Sequence, residues 1–372
     1  MKIKIQREPF FKAFQLAATV APSRSPKAIL QNVKIECTDS ACVLTATDME
    51  VGIRVVVADV TIETAGTAVI PVTRLSLILR ESRDETMTIN ATPDKTVIKG
   101  SGSKFELQAH NPDEFPDVAD FEAKDYYELP ANVFRELIKR TLFATDAESS
   151  RYALGGVKLE MDGEQLVAIG TDGRRLAVQR GKIETVGTPA DTGTSTIVPS
   201  RSMQLIDRIL PDSDAKVQIS PQANELLVRS PDGIFFTRLV EGRYPKWQDV
   251  IPKRDDGHKI EIAVGPMYQS LRQAAIVSSD ESRGVDFTFG DGSLVLSNTT
   301  AEVGESRIEM PVPYDDEPMT ITLDHRYVAD FLKVLQPDKT FTFDIKDGEQ
   351  AAYCSTEDEY GYVIMPLSKD RR

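Results

Sequence analysis

Three stretches of the sequence share one pattern: Leu30-Gln31-Asn32-Val33-Lys34-Ile35-Glu36, Leu154-Gly155-Gly156-Val157-Lys158-Leu159-Glu160 and, more weakly, Ser282-Arg283-Gly284-Val285-Asp286-Phe287-Thr288. Measured at the shared valine, Val33 and Val157 are 124 residues apart, and Val157 and Val285 are 128 apart. In each copy a short turn and a second alternating run follow, which is typical of a β-hairpin. A fixed period of this length indicates three copies of one folding unit.

Helical patterns recur in the same frame. In each copy one apolar helical pattern lies near the start, and a second follows a strand-like run such as Val69-Ile70-Pro71. We predict six helices, at 8–27, 73–83, 131–142, 199–210, 265–279 and 324–335. The sequence therefore predicts an α+β protein of three repeated domains, each with antiparallel strands and two helices, at 1–124, 125–252 and 253–372.

The charge distribution separates the helices from the rest of the chain. The chain of 372 residues has 44 Lys and Arg against 58 Asp and Glu, a net charge of -14. The six predicted helices carry 14 basic and 6 acidic residues, a net of +8. Basic helices on an acidic protein indicate that one surface binds a polyanion. In helix 131–142, Arg135 and Lys139 lie opposite the apolar stripe. Similar outward positions are available to Arg80, Arg83, Arg201 and Arg208. The alternative is that these are ordinary solvated helix faces.

The sequence lacks the motifs of several functional classes. The sequence has no apolar run near the ~20 residues of a membrane helix and no secretory signal, so a cytoplasmic protein is expected. Cys37, Cys42 and Cys354 contain no CxxC motif and are expected to be reduced, and Cys37 could pair with Cys42 only on oxidation. The three histidines form no ligand motif, and no acid–base constellation stands out. We therefore expect no metal, no cofactor and no catalytic site.

Two segments are unusual. Thr171-Asp172-Gly173-Arg174-Arg175-Leu176-Ala177 places paired arginines in a turn after a buried strand, and Tyr362-Val363-Ile364-Met365-Pro366-Leu367 is an apolar stretch near the chain end. The first is either a basic hairpin turn or part of a site. The second is either a last core strand or, with Leu154, Leu176 and Pro245, the lining of a groove for a peptide.

These segments, together with Glu241-Gly242-Arg243-Tyr244-Pro245, resemble the bacterial sliding clamp family, the β subunits of replicative DNA polymerase III. The resemblance covers essentially the whole chain. It implies a non-catalytic processivity factor, a head-to-tail homodimer closed into a ring with twelve helices lining the hole. Duplex DNA would pass through without being read in sequence, at replication forks in the nucleoid. No membrane partner is implied.

The resemblance also implies three sets of site residues. The peptide-binding groove would consist of Leu154, Thr171, Gly173, Arg174, Arg175, Leu176, Pro245, Val250, Val363, Met365, Pro366 and Leu367. Its ligands would be short motifs in the polymerase III α subunit, the clamp loader, other polymerases and repair proteins. The DNA contacts would be Arg24, Arg80, Arg135, Lys139, Tyr152 and Arg201, of which the helix residues are candidates from their position. The dimer interface would place Phe105 and Leu107 of one protomer against Ile276 and Val277 of the other.

The chain differs from the family pattern at three places. Ala153 stands where a second aromatic residue can follow Tyr152, Asp249 stands where an Arg can lie in the groove, and the basic tail Ser368 to Arg372 extends beyond a typical ending. We expect this tail to modulate peptide access. Two other interpretations remain open: a three-repeat scaffold that binds peptides without encircling DNA, and a hydrolase based on carboxylates.

Overall fold

The order of helices and strands repeats three times along the chain. The structure is a computed structural model that describes residues 1–146, 152–189, 196–253, 256–279, 281–301 and 303–367. Within these residues each repeat begins with a strand and a helix, continues with four or five strands and a second helix, and ends with three strands. The predicted α+β class, with two helices in each of three repeats, is confirmed.

The elements of the first repeat have short connections except between the first helix and the second strand. They are β1 Lys2–Gln6, α1 Arg7–Ala18, β2 Asn32–Cys37, β3 Cys42–Thr47, β4 Val51–Val57, β5 Val60–Thr64, β6 Gly66–Pro71, α2 Val72–Glu81, β7 Thr86–Ala91, β8 Lys95–Lys99 and β9 Lys104–Gln108.

The second and third repeats follow the same order, and the third has one strand fewer before its second helix. The second contains β10 Tyr126–Pro130, α3 Ala131–Thr141, β11 Gly156–Asp162, β12 Gln165–Thr171, β13 Arg175–Lys182, β14 Glu184–Val186, β15 Ile197–Pro199, α4 Ser200–Ile209, β16 Lys216–Pro221, β17 Glu225–Ser230 and β18 Gly233–Arg238. The third contains β19 His258–Ala263, α5 Val264–Ala274, β20 Gly284–Gly290, β21 Ser293–Thr300, β22 Gly304–Pro311, β23 Met319–Asp324, α6 His325–Lys333, β24 Thr340–Ile345, β25 Ala352–Ser355 and β26 Gly361–Ile364.

The chain divides into two compact units that do not coincide with the repeats. The first unit contains Met1–Arg135 and Ile183–Val240, and the second contains Glu136–Lys182 and the chain from Glu241 onward. The second repeat therefore contributes strands to both units.

Antiparallel sheets form the first unit. One has the strand order β5-β1-β7-β8-β9, and the other has the order β14-β10-β16-β17-β18-β4-β3-β2-β6. In the larger sheet β18 of the second repeat pairs with β4 of the first, with Phe235 opposite Ile53. Helix α1 packs on β2, β3 and β4 and buries Phe10, Phe14 and Ala17 against them. The core of this unit is thus shared between two repeats.

The second unit has the same layered plan. The strands that belong to this unit have the orders β11-β12-β13-β26-β25-β24-β19 and β22-β21-β20-β23. Helices α5 and α6 pack together against them. Phe331 of α6 stacks on Tyr362 of β26, with ring centroids 5.1 Å apart and planes 11° apart. This aromatic contact fixes the last strand to the core, next to the chain end that the sequence singles out.

The predicted helix bounds hold within a few residues except for the first helix and the end of the fifth. Helix α1 ends at Ala18 rather than near residue 27, so the prediction was wrong there. The Thr19 hydroxyl donates to Leu16 O at 2.7 Å, and Pro22 and Pro26 follow. Because proline lacks an amide N–H and restricts the preceding residue, the chain leaves the helix before it reaches them. The fifth helix is α-helical only to Ala274 and continues as a 3₁₀ turn, Ala275–Val277.

The predicted hairpin turns are confirmed. Residues 38–41 connect β2 to β3, and residues 163–164 connect β11 to β12. Asp291 and Gly292, which connect β20 to β21, both have positive φ, 49° and 71°. Two-residue hairpin loops favour this backbone conformation because its twist matches that of the strands. Residues 100–103 likewise form a hairpin turn, between β8 and β9.

Candidate functional site

The arginine turn and the chain end lie side by side. Strands β13 and β26 pair, with Leu176 opposite Val363, and the amide of Met365 donates to Arg174 O at 2.9 Å. Asp172 Oδ1 accepts the amides of Arg174 and Arg175 at 2.9 and 3.0 Å, which closes the turn. The structure therefore brings together two segments that are about 190 residues apart in sequence.

Gly173 allows this turn to form. Its φ is +86°, a backbone conformation that residues with a Cβ rarely adopt. Its amide donates to the Thr171 hydroxyl at 3.1 Å. The same hydroxyl donates to Arg175 O at 2.6 Å. Thr171 is buried and thus supports the turn from below, while Gly173 and Arg174 are exposed.

Arg175 differs from its neighbour because its guanidinium is held inside the protein. It donates to Asp172 Oδ2 at 3.0 Å, to Asp330 Oδ2 at 2.8 Å and to Phe143 O at 2.7 Å. It also lies over the Tyr327 ring, 4.4 Å from the centroid. With only 10% of its side chain exposed, Arg175 positions the turn, and Arg174 is the arginine available to a ligand.

The segment 241–250 is anchored to the neighbouring strands β11 and β12. The Tyr244 hydroxyl donates to Ile169 O of β12 at 3.0 Å, and burial raises the pKa of Tyr244. The indole N–H of Trp247 donates to Glu160 of β11 at 3.1 Å. Between these anchors Pro245 is exposed, so it lies at the surface near the end of β12.

Gly242 lets this segment approach the 3₁₀ turn Tyr152–Gly155. Its φ is +136°, and a Cβ at this position would be 3.5 Å from the Cβ of Ala153. Leu154 O accepts the amide of Asp146 at 2.9 Å, which fixes the other side of the turn. The side chain of Tyr152 lies outside the described residues.

The apolar candidates fall into a buried set and an exposed set. Leu154, Leu176 and Val363 are 6%, 2% and 1% exposed. Met365 and Val250 are 45% and 41% exposed. Pro366 and Leu367 are half-buried, and the Leu367 amide donates to Thr322 O at 2.9 Å. The second unit thus combines a buried apolar layer with exposed Val250 and with exposed Met365, whose backbone is bonded to that of the exposed Arg174.

The predicted DNA residues differ in their availability. Lys139 and Arg24 are exposed. Arg80 is exposed and pairs with Glu81 at 3.0 Å, and Arg201 is 56% exposed and pairs with Asp48. Arg135 instead turns back onto α4, where its guanidinium pairs with Asp207 at 3.3 Å and with Asp212.

The helices remain basic when their observed bounds are used. They carry 12 Lys and Arg against 5 Asp and Glu, a net of +7 in a chain of net charge -14. Arg208 is exposed as expected, and Lys12 and Arg74 are exposed helix residues that the sequence pattern was not used to select. The pattern that selected Lys139, a basic residue on the helix face opposite the apolar stripe, could also have identified these residues.

Two open strand edges carry the predicted interface residues. In the first unit β9 is an edge strand with its side chains mostly exposed, and it holds Phe105, 38% exposed, and half-buried Leu107. In the second unit β22 is an edge strand, and the 3₁₀ turn Ala275–Val277 packs against it. That turn presents Ile276, 75% exposed, beside half-buried Val277. An open edge can add a strand from another chain.

Two kinds of feature are absent from the described part of the chain. Among the residues that the structure describes, no group of three or more His, Cys, Asp or Glu side chains could hold a metal ion. In the same part of the chain, no helix is both long and apolar enough to cross a membrane. The three cysteines are free thiols and all are buried.

Three α+β repeats with basic helices define the class of DNA clamp folds. Models of the N-terminal, central and C-terminal domains of the DNA polymerase III beta subunit match residues 1–119, 128–246 and 248–368. The beta sliding clamp of Pseudomonas aeruginosa is 28% identical over 376 residues, covering 99% of this chain and all of the relative. That of Haemophilus influenzae is 27% identical over 373 residues with the same coverage.

Structural comparison agrees with these matches. The crystal structure of the DNA polymerase III subunit beta from Pseudomonas aeruginosa superposes with a TM-score of 0.89 at 25% identity, covering 99% of this chain and all of that one. The chain belongs to the family of DNA polymerase III beta subunits, the beta sliding clamps. Members of this family are accessory subunits, so the protein is a DNA polymerase processivity factor.

Proposed function

We propose that two copies of this chain form a closed ring around duplex DNA and tether the polymerase to its template without catalysing a reaction themselves. The observation that carries this proposal is the opposition between helices of net charge +7 and a chain of net charge -14. Positive helices facing the DNA would hold phosphates without reading bases, and acidic surfaces elsewhere would repel DNA from the outside. Such a ring can slide.

The DNA-facing residues would be Arg24, Arg80, Lys139 and Arg201, with Tyr152 on the loop that precedes β11. Arg135 remains a candidate, but its pairing with Asp207 and Asp212 would have to be exchanged for phosphate contacts. Because each phosphate contact releases a condensed counterion, retention on DNA by contact alone would fall steeply with salt. Retention by a closed ring would not.

The homodimer would join β9 of one protomer to β22 of the other. Each is an edge strand with one side unpaired in its sheet of the described residues, and each has an exposed apolar side chain nearby, Phe105 on β9 and Ile276 on the 3₁₀ turn beside β22. Strand addition would satisfy the backbone groups, and the apolar residues would be buried. The domain limits 1–124, 125–252 and 253–372 are part of the same proposal.

The peptide-binding groove would lie where the turn 172–174, the segment 241–250 and the chain end meet. Met365 and Val250 would be the apolar anchors and Arg174 the polar contact, because these side chains are exposed while Arg175 is not. Leu154, Leu176 and Val363 would form the base. Ligands would be short apolar peptides of the polymerase α subunit, the clamp loader, other polymerases and repair proteins, in the cytoplasm at the nucleoid.

The experiment that tests the ring compares nicked circular DNA with the same DNA after linearisation. The protein is loaded with its clamp loader and ATP, and retention is measured at high salt. We expect retention on the circle and loss on the linear form. Equal retention on both would refute topological linkage and would indicate direct site binding.

A matched pair of variants tests the basic helices. Lys139→Glu reverses an exposed helix charge, and Lys259→Glu reverses an exposed charge on strand β19. We expect Lys139→Glu to reduce loading and Lys259→Glu to leave it unchanged. An equal effect of the two would contradict the assignment of DNA contact to the helices.

A further inference from the structure

Two cysteines meet at the end of the first hairpin. Cys37 is the last residue of β2 and Cys42 the first of β3, and they are directly opposite each other in the register of the two strands. Their sulfur atoms are 3.3 Å apart, and the side chains are 3% and 1% exposed. Nothing in the proposed clamp function uses this pair.

The strand geometry favours closure of a bond between the two sulfurs. The Thr38 amide donates to Ala41 O at 2.9 Å, so the 38–41 pair is hydrogen-bonded. Because such pairs alternate along antiparallel strands, Cys37 and Cys42 form a non-hydrogen-bonded pair, in which the Cα atoms are about 4.5 Å apart and side chains are closest. That separation falls within the range that disulfides accept.

The environment distinguishes the two thiols. The hydrogen bond between the two sulfurs lowers the pKa of Cys37 against the opposing effect of burial. The same bond, together with burial, raises the pKa of Cys42. Cys37 is therefore the better nucleophile, and Cys42 is placed to resolve an oxidised Cys37.

Access to the pair is through the hairpin turn. Thr38, Asp39 and Ser40 are exposed, and the Thr38 hydroxyl closes the turn through contacts of 3.2–3.5 Å, which are long for hydrogen bonds. On the other side of Cys37, Gly66 of β6 is opposite it, and Met1 fills the space beside this glycine, so the turn is the side from which the pair can be reached. An oxidant as small as hydrogen peroxide can reach the sulfurs when the turn opens.

We propose that Cys37 and Cys42 form a peroxide-sensitive dithiol site that closes reversibly into a cross-strand disulfide. The Cys37 thiolate attacks hydrogen peroxide, the O–O bond breaks, and hydroxide leaves to give a sulfenic acid. The Cys42 sulfur then attacks the Cys37 sulfur, and the hydroxyl departs as water with the Cys42 proton. In total two thiols and one peroxide give one disulfide and two waters, and the sulfurs supply the two electrons that the peroxide takes up. A dithiol reductant reverses the step by exchange.

The test uses the full-length reduced protein treated with hydrogen peroxide, then denatured, alkylated and digested with trypsin. Both cysteines lie in one tryptic peptide, Ile35–Arg54, and Cys354 lies in another, so Cys354 is an internal control. We expect the Ile35–Arg54 peptide to lose the mass of two hydrogen atoms and to resist alkylation at both sites. Cys354 should stay fully alkylated, and dithiothreitol should restore both thiols.

A second variant separates the two steps. In Cys42→Ala, the sulfenic acid on Cys37 has no resolving partner, so we expect dimedone to trap it, and Cys354→Ser should behave as the parent does. The proposal is overturned if Cys37 and Cys42 remain fully alkylated at a peroxide dose that oxidises the exposed Met365. It is also overturned if the disulfide that forms connects two chains.

Discussion

The contrast between Arg174 and Arg175 leads to a quantitative prediction, because two adjacent arginines in one turn have opposite environments. Arg175→Ala removes hydrogen bonds to Asp172, Asp330 and Phe143 O, all between 2.7 and 3.0 Å. Removing one partner of a buried ion pair costs about 3–5 kcal/mol, because the remaining charges are left uncompensated. Asp330 is 29% exposed and keeps Lys333 at 3.1 Å, so we expect the lower end, about 3 kcal/mol.

The matched control is Arg174→Ala. Its side chain is exposed, and a surface substitution of this kind changes stability by roughly 0.5 kcal/mol or less. An intermediate loss is expected for Arg175→Lys, since an ammonium retains the charge but cannot reproduce the planar fork of donors.

The assay is urea unfolding followed by the fluorescence of Trp247, the single tryptophan of the chain, which belongs to the same unit as Arg175. This probe reports the transition of the second unit even when the whole chain does not unfold in one step. Equal midpoints for Arg174→Ala and Arg175→Ala would refute the structural role assigned to Arg175.

Three further predictions concern binding, pH and assembly. Met365→Ala should weaken binding of a clamp-binding peptide by about 1–3 kcal/mol in calorimetry, because a few apolar anchors dominate the affinity of such sites. The control Val56→Ala truncates a 58% exposed side chain in the first unit and should leave the affinity unchanged. Burial lowers the pKa of His325 below its usual 6.5, so the unfolded chain binds more protons than the folded chain, and stability should fall as the pH drops below about 6.5. His325→Gln should abolish that part of the pH dependence of the urea midpoint. Phe105→Asp should shift the dimer toward monomer in sedimentation experiments, and Val56→Asp should not; an unchanged dimer would argue against β9 as the interface strand.

The local parts of the fold could be predicted from the sequence. Hairpin turns and helices depend on residues within a few positions of each other, so the short turn between two alternating runs and the 3.6-residue period were sufficient to place them. The first helix was predicted to be too long because its apolar period continues to Val20. Pro22 and Pro26 prevent the helix from continuing past that point.

The long-range parts could not be predicted. The pairing of β18 with β4, and of β13 with β26, joins residues more than 170 positions apart. The alternating pattern of a strand shows which face is buried but does not determine which other strand pairs with it. Arg175 illustrates the same limit within the site. Its partners Phe143 and Asp330 are 32 and 155 residues away, so the sequence selects the arginine pair but cannot tell which member is buried.

The strand pairing between repeats has a consequence for anyone who divides the protein. A fragment cut at residues 125 and 252 would keep β13 and β18 but lose their partner strands β26 and β4, so one edge of each remaining strand would be unpaired. Unpaired edges of this kind attract strands from other molecules and promote aggregation. Soluble pieces should instead follow the two compact units, so that co-expression of complementary fragments or circular permutation is a better route to truncated forms than isolation of single repeats.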